Sequence, residues 1–206
     1  MLIHPAYFGS IIQYVGIVNA KKVTFEINDN YQKQTYRNRC YIYGPNGMQM
    51  LTVPVVQENK GDKQKTKDIR IDKSSEWQKL HYRALNTAYS SSPFFEFYID
   101  DLKIIFEKKY DFLMDLNLAI NSVILDTMEL VKTICVSESY ELESAFYDDH
   151  RKLINAKAKE KYSLQKYQQV FEYKHGFIPN MSILDLLFNE GPNTLQYLED
   201  HKNLLF

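Results

Sequence analysis

The sequence predicts an α/β protein, with an N-terminal βαβ unit and a small mixed sheet followed by a mainly helical C-terminal half. Three observations predict it. Short apolar and β-branched runs, Leu2-Ile3 and Val23–Ile27, flank the helix-spaced run Ile11–Asn19. Two strand-like runs bracket the turn sequence Gly44-Pro45-Asn46-Gly47. From Ser75 onward the apolar residues recur at i, i+3 and i+4. The 206 residues suffice for a single buried core, with 1–72 as its α/β part and 73–206 as its mainly helical part.

Taken in order, Leu2 and Ile3 form a short buried strand that ends near Pro5, with a turn at Phe8–Ser10. Ile11, Ile12, Val15 and Val18 then mark a helix. Val23, Phe25 and Ile27 alternate with Thr24 and Glu26, which reads as a strand with one buried face. Glu26, with Asp29, could act as a general base or balance nearby arginines, but an exposed strand face is the plainer reading for it. Strand, helix and strand at this spacing make the two strands parallel. Cys40–Tyr43 and Met50–Val55 form a hairpin, Gln57–Asp68 is a polar, lysine-rich excursion, and Ile69–Ile71 restarts a strand. Ser75 and Gln78 have capping-box spacing, starting a helix that runs to Tyr89 and stops at Ser90-Ser91-Ser92-Pro93. Phe94–Tyr110 and Phe112–Val131 carry two more helices, and Thr133–Val136 is a possible strand. Glu141–Lys161 reads as a solvated helix or linker. Ser182 and Asp185 resemble a second capping box, and Gly191-Pro192 separates the last two helices.

Composition narrows the function classes. A net charge of −1 provides no global field to draw the protein onto nucleic acid or acidic lipid. Cys40 and Cys135 lie far apart without CxxC spacing, which fits a reducing cytoplasm and argues against a zinc site. The five histidines show neither HxH nor HExxH spacing, and no metal or cofactor is expected. No apolar run reaches the roughly 18 residues of a membrane span, and the N-terminus does not read as a signal peptide. Sixteen Tyr and twelve Phe provide rings for stacking.

The strongest local signal is Tyr31–Cys40, YQKQTYRNRC. Lys33, Arg37 and Arg39 are interleaved there with Tyr36, Gln32 and Asn38, and no acidic residue intervenes. Arginine forks suit phosphate or carboxylate, and the tyrosines suit a base or sugar ring. In an extended segment Arg37 and Arg39 would share a face and clamp one anion between them; the plain alternative is a solvated edge strand. The segment follows the second parallel strand, and ligands of such units lie beyond the strands' carboxyl ends. Tyr7 and Phe8 close the first strand. Gly9 and Ser10 open a helix whose free N–H groups favour an anion. His4 could serve as a base, although a buried structural histidine is the commoner case. His81, one turn after Trp77, carries the same pair of readings.

The strings YQKQTYRNRCYIYGPNG with LTVPV, WQKLHYRALNTAYSSSPFFEFY and FIPNMSILDLLFNEGPNTLQYL resemble the WbqC-like family across nearly the whole chain. The first looks most like the Bacteroidetes-type version. His4-Pro5-Ala6-Tyr7-Phe8 stands where members often carry a Gln-Pro-Tyr-Phe-type strand end, so position 4 departs from the pattern. Arg37-Asn38-Arg39 matches the family's Arg-Asn-Arg step, and Trp77 with His81 matches its Trp…His element. The family takes its name from polysaccharide biosynthesis loci. The resemblance therefore implies a transferase that adds an acyl or aminoacyl group to a nucleotide-linked amino sugar. Tyr7, Gln32, Lys33, Tyr36, Arg37, Asn38, Arg39 and Trp77 would bind, and His81 or His4 would act as base. Two other classes compete: a non-catalytic glycan- or protein-binding scaffold, and a nucleotidyltransferase-like enzyme, whose His-x-Gly-His is absent. His175, Asn180 and Asp185 join the site only if the C-terminal helices fold back onto it.

Overall fold

The computed structural model describes residues 1–56, 64–142, 148–157 and 162–206. Most of the lysine-rich run and parts of the charged stretch lie outside those residues. In chain order the elements are β1 (Leu2–Ile3), α1 (Ile11–Asn19), β2 (Val23–Phe25), β3 (Arg39–Gly44), β4 (Gly47–Thr52), β5 (Val55–Val56) and β6 (Arg70–Ile71). Then come α2 (Trp77–Tyr89), α3 (Phe95–Glu107), α4 (Leu113–Thr127), β7 (Ile134–Val136), α5 (Glu172–His175), α6 (Ile183–Glu190) and α7 (Thr194–Asp200).

β1, α1 and β2 form the expected parallel βαβ unit, with Leu2 opposite Thr24 and Ile3 opposite Phe25. β7 returns from the helical half and pairs parallel to β2 on its other side, giving the order β1-β2-β7. The hairpin β3–β4 and the pair β5–β6 are separate antiparallel ladders. Parallel strands are covered on both faces, which explains why Val23, Thr24 and Phe25 are all buried. The expectation that Glu26 sits on an exposed strand face fails for the same reason: it is buried just beyond β2. α1 is buried along nearly its whole length, like a helix apolar all round, and packs against α6 and α7.

Three local expectations are corrected. The Ser75–Gln78 capping box does not form: α2 starts at Trp77 without a side-chain cap. Gln78 instead donates to the carbonyls of Ile105 (3.2 Å) and Lys108 (2.7 Å), fastening α2 to the end of α3. Ser182 does cap α6, accepting from the Leu184 N–H, but Asp185 turns into the core and takes no part in the cap. In the charged stretch, the described residues 148–157 are not a solvated helix. Leu2 N–H donates to Asp148 O (2.8 Å) and His150 N–H to Leu2 O (2.8 Å), so this segment lines the free edge of β1. A 3₁₀ turn, Arg151–Ile154, follows, and Arg151, Leu153 and Ile154 are buried there.

The chain breaks fall where backbone chemistry demands them. Pro45-Asn46 closes the hairpin between Gly44 and Gly47. Gly191 ends α6 at φ +54°, and a Cβ there would run into the Phe94 ring. No helix among the described residues is long and apolar enough to cross a membrane.

Candidate functional site

The run that dominates the sequence does not extend as expected. Residues 33–38 form bends and a turn, and Gln34 lies at φ +62°. The strand-like alternation is therefore lost: Arg37, Asn38 and Cys40 are all buried, Arg39 is partly buried, and Gln32 and Lys33 are exposed. Asn38 joins the core, donating through its amide to Val53 O (2.9 Å) and accepting the Val53 N–H (2.8 Å). The Tyr36 carbonyl accepts the Tyr7 N–H at 2.9 Å, and its ring meets Tyr41 edge-on. Arg39 leans over the hairpin toward the Met50 sulfur (3.5 Å). Arg37 turns the other way, so the two arginines do not close on one group.

What draws Arg37 inward is Asp29, in the loop after β2. Arg37 is 1% exposed; its Nη2 donates to Asp29 Oδ2 (2.5 Å) and to His4 Nε2 (3.0 Å), and its Nη1 to Thr35 Oγ1 (3.2 Å). A guanidinium only donates, so His4 Nε2 must be the acceptor. The ring proton then lies on Nδ1, facing the Glu26 carbonyl at 3.4 Å. Burial, and after it the adjacent Arg37 charge, hold the His4 pKa well below the ordinary histidine value. His4 is therefore neutral, and its 3.7 Å approach to Asp29 is not an ion pair.

A second arginine completes this centre. Arg151 donates from Nε and Nη2 to Asp149, and to the carbonyls of Glu141 (2.7 Å) and Leu142 (3.1 Å). Its Nη1 lies 3.7 Å from Glu26, whose other oxygen accepts from the Asn28 N–H and the Ser137 hydroxyl. A cavity of about 270 Å³ opens beside the two arginines, beyond the carboxyl ends of β1 and β2. His4, Asp29, Gln32, Arg37, Arg151 and Lys152 line it, together with Tyr140 and Asn155. Asp29 Oδ1 and Arg37 Nε are buried there without a hydrogen-bond partner.

The other expected site residues lie apart from that cavity. The Tyr7 hydroxyl meets His81 Nδ1 at 2.7 Å, and Trp77 packs edge-on to His81 with ring centroids 5.3 Å apart. All three are buried. Burial lowers the His81 pKa to about 4, with a bond to the Thr52 carbonyl opposing the shift. This neutral cluster pins the end of β1 to α2. The expected anion seat at the start of α1 is also filled: Ile11 N–H donates to Met181 O, and Ile12 N–H to Asn180 Oδ1, both at 2.9 Å. Asn180 is thus a cap for α1. His175 points to Pro45 O, and Asp185 is buried among tyrosines; none of these three lines the cavity.

Sequence reasoning missed Arg151, Lys152 and Tyr140, because a charged stretch reads as solvated. The one local signal against that reading was the apolar pair Leu153-Ile154 directly after Arg151-Lys152. Among the described residues, no cluster of three or more His, Cys, Asp or Glu side chains is placed to hold a metal ion.

Comparison with known proteins agrees with the residue strings. The model of the WbqC-like protein family matches residues 7–162 and 144–197. An uncharacterized protein of Mycobacterium tuberculosis (strain ATCC 25618 / H37Rv) is 31% identical over 194 residues, covering 82% of this chain and 83% of its own length. No solved structure matches.

Proposed function

The chain belongs to the WbqC-like protein family, and from the cavity at its strand ends we propose that it binds an anionic, nucleotide-linked amino sugar. In this reading it transfers an acyl or aminoacyl group to that sugar in the cytoplasm, as a step of surface polysaccharide biosynthesis. The polysaccharide setting comes from the family resemblance. The observation that carries the binding step is the cavity wall, where, among the described residues, Arg37 and Arg151 stand with one carboxylate, Asp29, and His4 is neutral. Asp149 and Glu26 stand behind Arg151 and temper that excess. The size supports a sugar ring within the cavity and the nucleotide outside it, since about 270 Å³ falls at the small end of ligand sites.

Thermal shift with UDP-sugars tests the reading. At a hundred times its dissociation constant a ligand adds about 2.7 kcal/mol, an easily measured rise in Tm. Arg37→Lys keeps the charge but loses the planar fork, and is expected to weaken binding roughly tenfold. A wild-type protein indifferent to millimolar UDP-sugars, or an Arg37→Lys variant that binds them equally well, would overturn it.

One observation favours a second reading, a binding protein without turnover. The two histidines expected to act as bases have their ring nitrogens engaged: His4 by Arg37 and Glu26, His81 by Tyr7 and Thr52. That reading expects the same affinity and no transferred product when an acyl donor is supplied.

A further inference from the structure

The parallel sheet β1-β2-β7 has two edges, and the chain treats them differently. At β1, residues 148–150 cover the edge through backbone bonds with Leu2. At β7, no strand among the described residues pairs on the outer side. Thr133 O accepts the Val23 N–H (3.0 Å) and Ser137 N–H donates to Phe25 O (2.9 Å), so those two residues address β2. The alternation of the ladder then turns the N–H and C=O groups of Ile134 and Val136 outward. An open edge is a template for another strand unless proline, charge or cover blunts it. Thr133–Ser137 holds neither proline nor charge, and Ile134 and Val136 are 36% and 46% exposed. Val131, 98% exposed, extends the patch. A groove of about 540 Å³ with Leu118, Leu125 and Leu130 in its wall runs beside Val131 and Ile134.

We propose that β7 pairs antiparallel with β7 of a second copy of this chain, joining two three-stranded sheets into one across a twofold axis. The residues of the edge select a second copy over a foreign strand. A ladder that uses the outward groups of Ile134 and Val136 sets Ile134 against the partner's Val136, and symmetry repeats the pair in reverse. The same register sets Lys132 against the partner's Glu138 at each end, and opposite charges directly across such a pair are favourable. The Lys132 ammonium has three donors. Val18 O (2.7 Å) and Ala20 O (2.8 Å) hold two of them, which leaves one for that carboxylate. Glu138 is exposed. A foreign strand would have to reproduce an apolar middle and complementary ends that a second copy brings by symmetry. Cys135 falls on the axis and meets the partner's Cys135 as a non-hydrogen-bonded pair, with Cα atoms about 4.5 Å apart. The pairing requires no ligand and is independent of the cavity beside Arg37.

Sedimentation velocity of the full chain under reducing conditions tests the interface, and oxidation of the wild-type protein tests the register. The wild type is expected to be a dimer at high micromolar concentration. Val136→Lys, at an exposed position, puts an ammonium in the middle of the ladder and is expected to raise the dimer dissociation constant about tenfold or more. Copper-phenanthroline in air should join the two Cys135 thiols as one disulfide, releasing two protons and passing two electrons through copper to oxygen. Their Cα spacing in this register lies within the disulfide range of about 4.4–6.8 Å. Peptide mapping is expected to find Cys135 linked to the partner's Cys135, while Cys40, which is buried, stays a thiol. The wild-type mapping stands by itself should Val136→Lys fail to fold. A wild-type chain that sediments as a monomer overturns the proposal. So does a dimer that Val136→Lys leaves equally tight, or one that yields no Cys135 cross-link.

Discussion

Two buried aspartates in this chain meet opposite fates. Asp185, on α6, is fully enclosed and saturated: Oδ1 accepts from Tyr89 OH (2.9 Å), and Oδ2 from Tyr167 OH (2.5 Å) and Gln169 Nε2 (2.7 Å). Burial raises its pKa and the three hydrogen bonds pull it back. Tyr89 in addition donates its position to the hairpin, accepting the Tyr43 N–H at 3.0 Å. Asp29 also has a strong partner, Arg37, but one oxygen is bare and a cavity lies alongside. A saturated carboxylate locks elements together, here α2, α6 and the 162–178 segment. Asp29 joins only Arg37 through its side chain, and its other oxygen is enclosed without a donor. The same residue type thus ties elements together in one region and lines a cavity in the other.

The largest expected effect would break this contrast if it failed. Asp185→Ala strands three buried donors and should cost on the order of 3 kcal/mol or more in urea unfolding. The fraction that remains folded should bind UDP-sugars as the wild type does. A shift in ligand affinity without loss of stability would reverse the roles assigned to the two aspartates.

Next in size is an acid effect from the histidines. With a folded-state pKa of about 4 against an ordinary 6.5, His81 takes up a proton more readily when unfolded. Stability is therefore complete above about pH 6.5 and declines as the pH falls toward about 4, by about 3 kcal/mol over that window. His4 acts in the same direction. His81→Phe should flatten the decline, measured as the urea midpoint between pH 7 and pH 4.5. An unchanged slope would mean that His81 is accessible and titrates freely, and would bring it back as a base.

The smallest effect refines the architectural side. The Ser182 hydroxyl caps α6 and donates to the Phe8 carbonyl (2.8 Å). Ser182→Ala should cost about 1 kcal/mol, the usual value of an N-cap, with UDP-sugar affinity unchanged. A loss of affinity would link the Asp185 region to the cavity through the Phe8 turn.

Much of the scaffold is legible in the sequence because its causes are local. The repeat of Ile11, Ile12, Val15 and Val18 defines α1, Pro45-Asn46 defines the hairpin turn, and Gly191-Pro192 divides α6 from α7. β-Branched Val23-Thr24 marks a strand, though not that both its faces are covered, since that depends on what packs there. The Tyr31–Cys40 run stood out by composition, and two of its residues, Gln32 and Arg37, do line the cavity.

The direction of each side chain was a different matter. Whether Arg37 points outward with Arg39 or inward to Asp29 depends on a carboxylate eight positions away. Whether Arg151 is solvated or buried depends on residues 148–150 pairing with β1 from the far end of the chain. Sequence by itself determined the family, the α/β order and the turn positions, all set by spacing and backbone preference. Tertiary structure alone decided which charges are paired and which oxygen is left bare, because pairing between distant residues is a property of the packed chain.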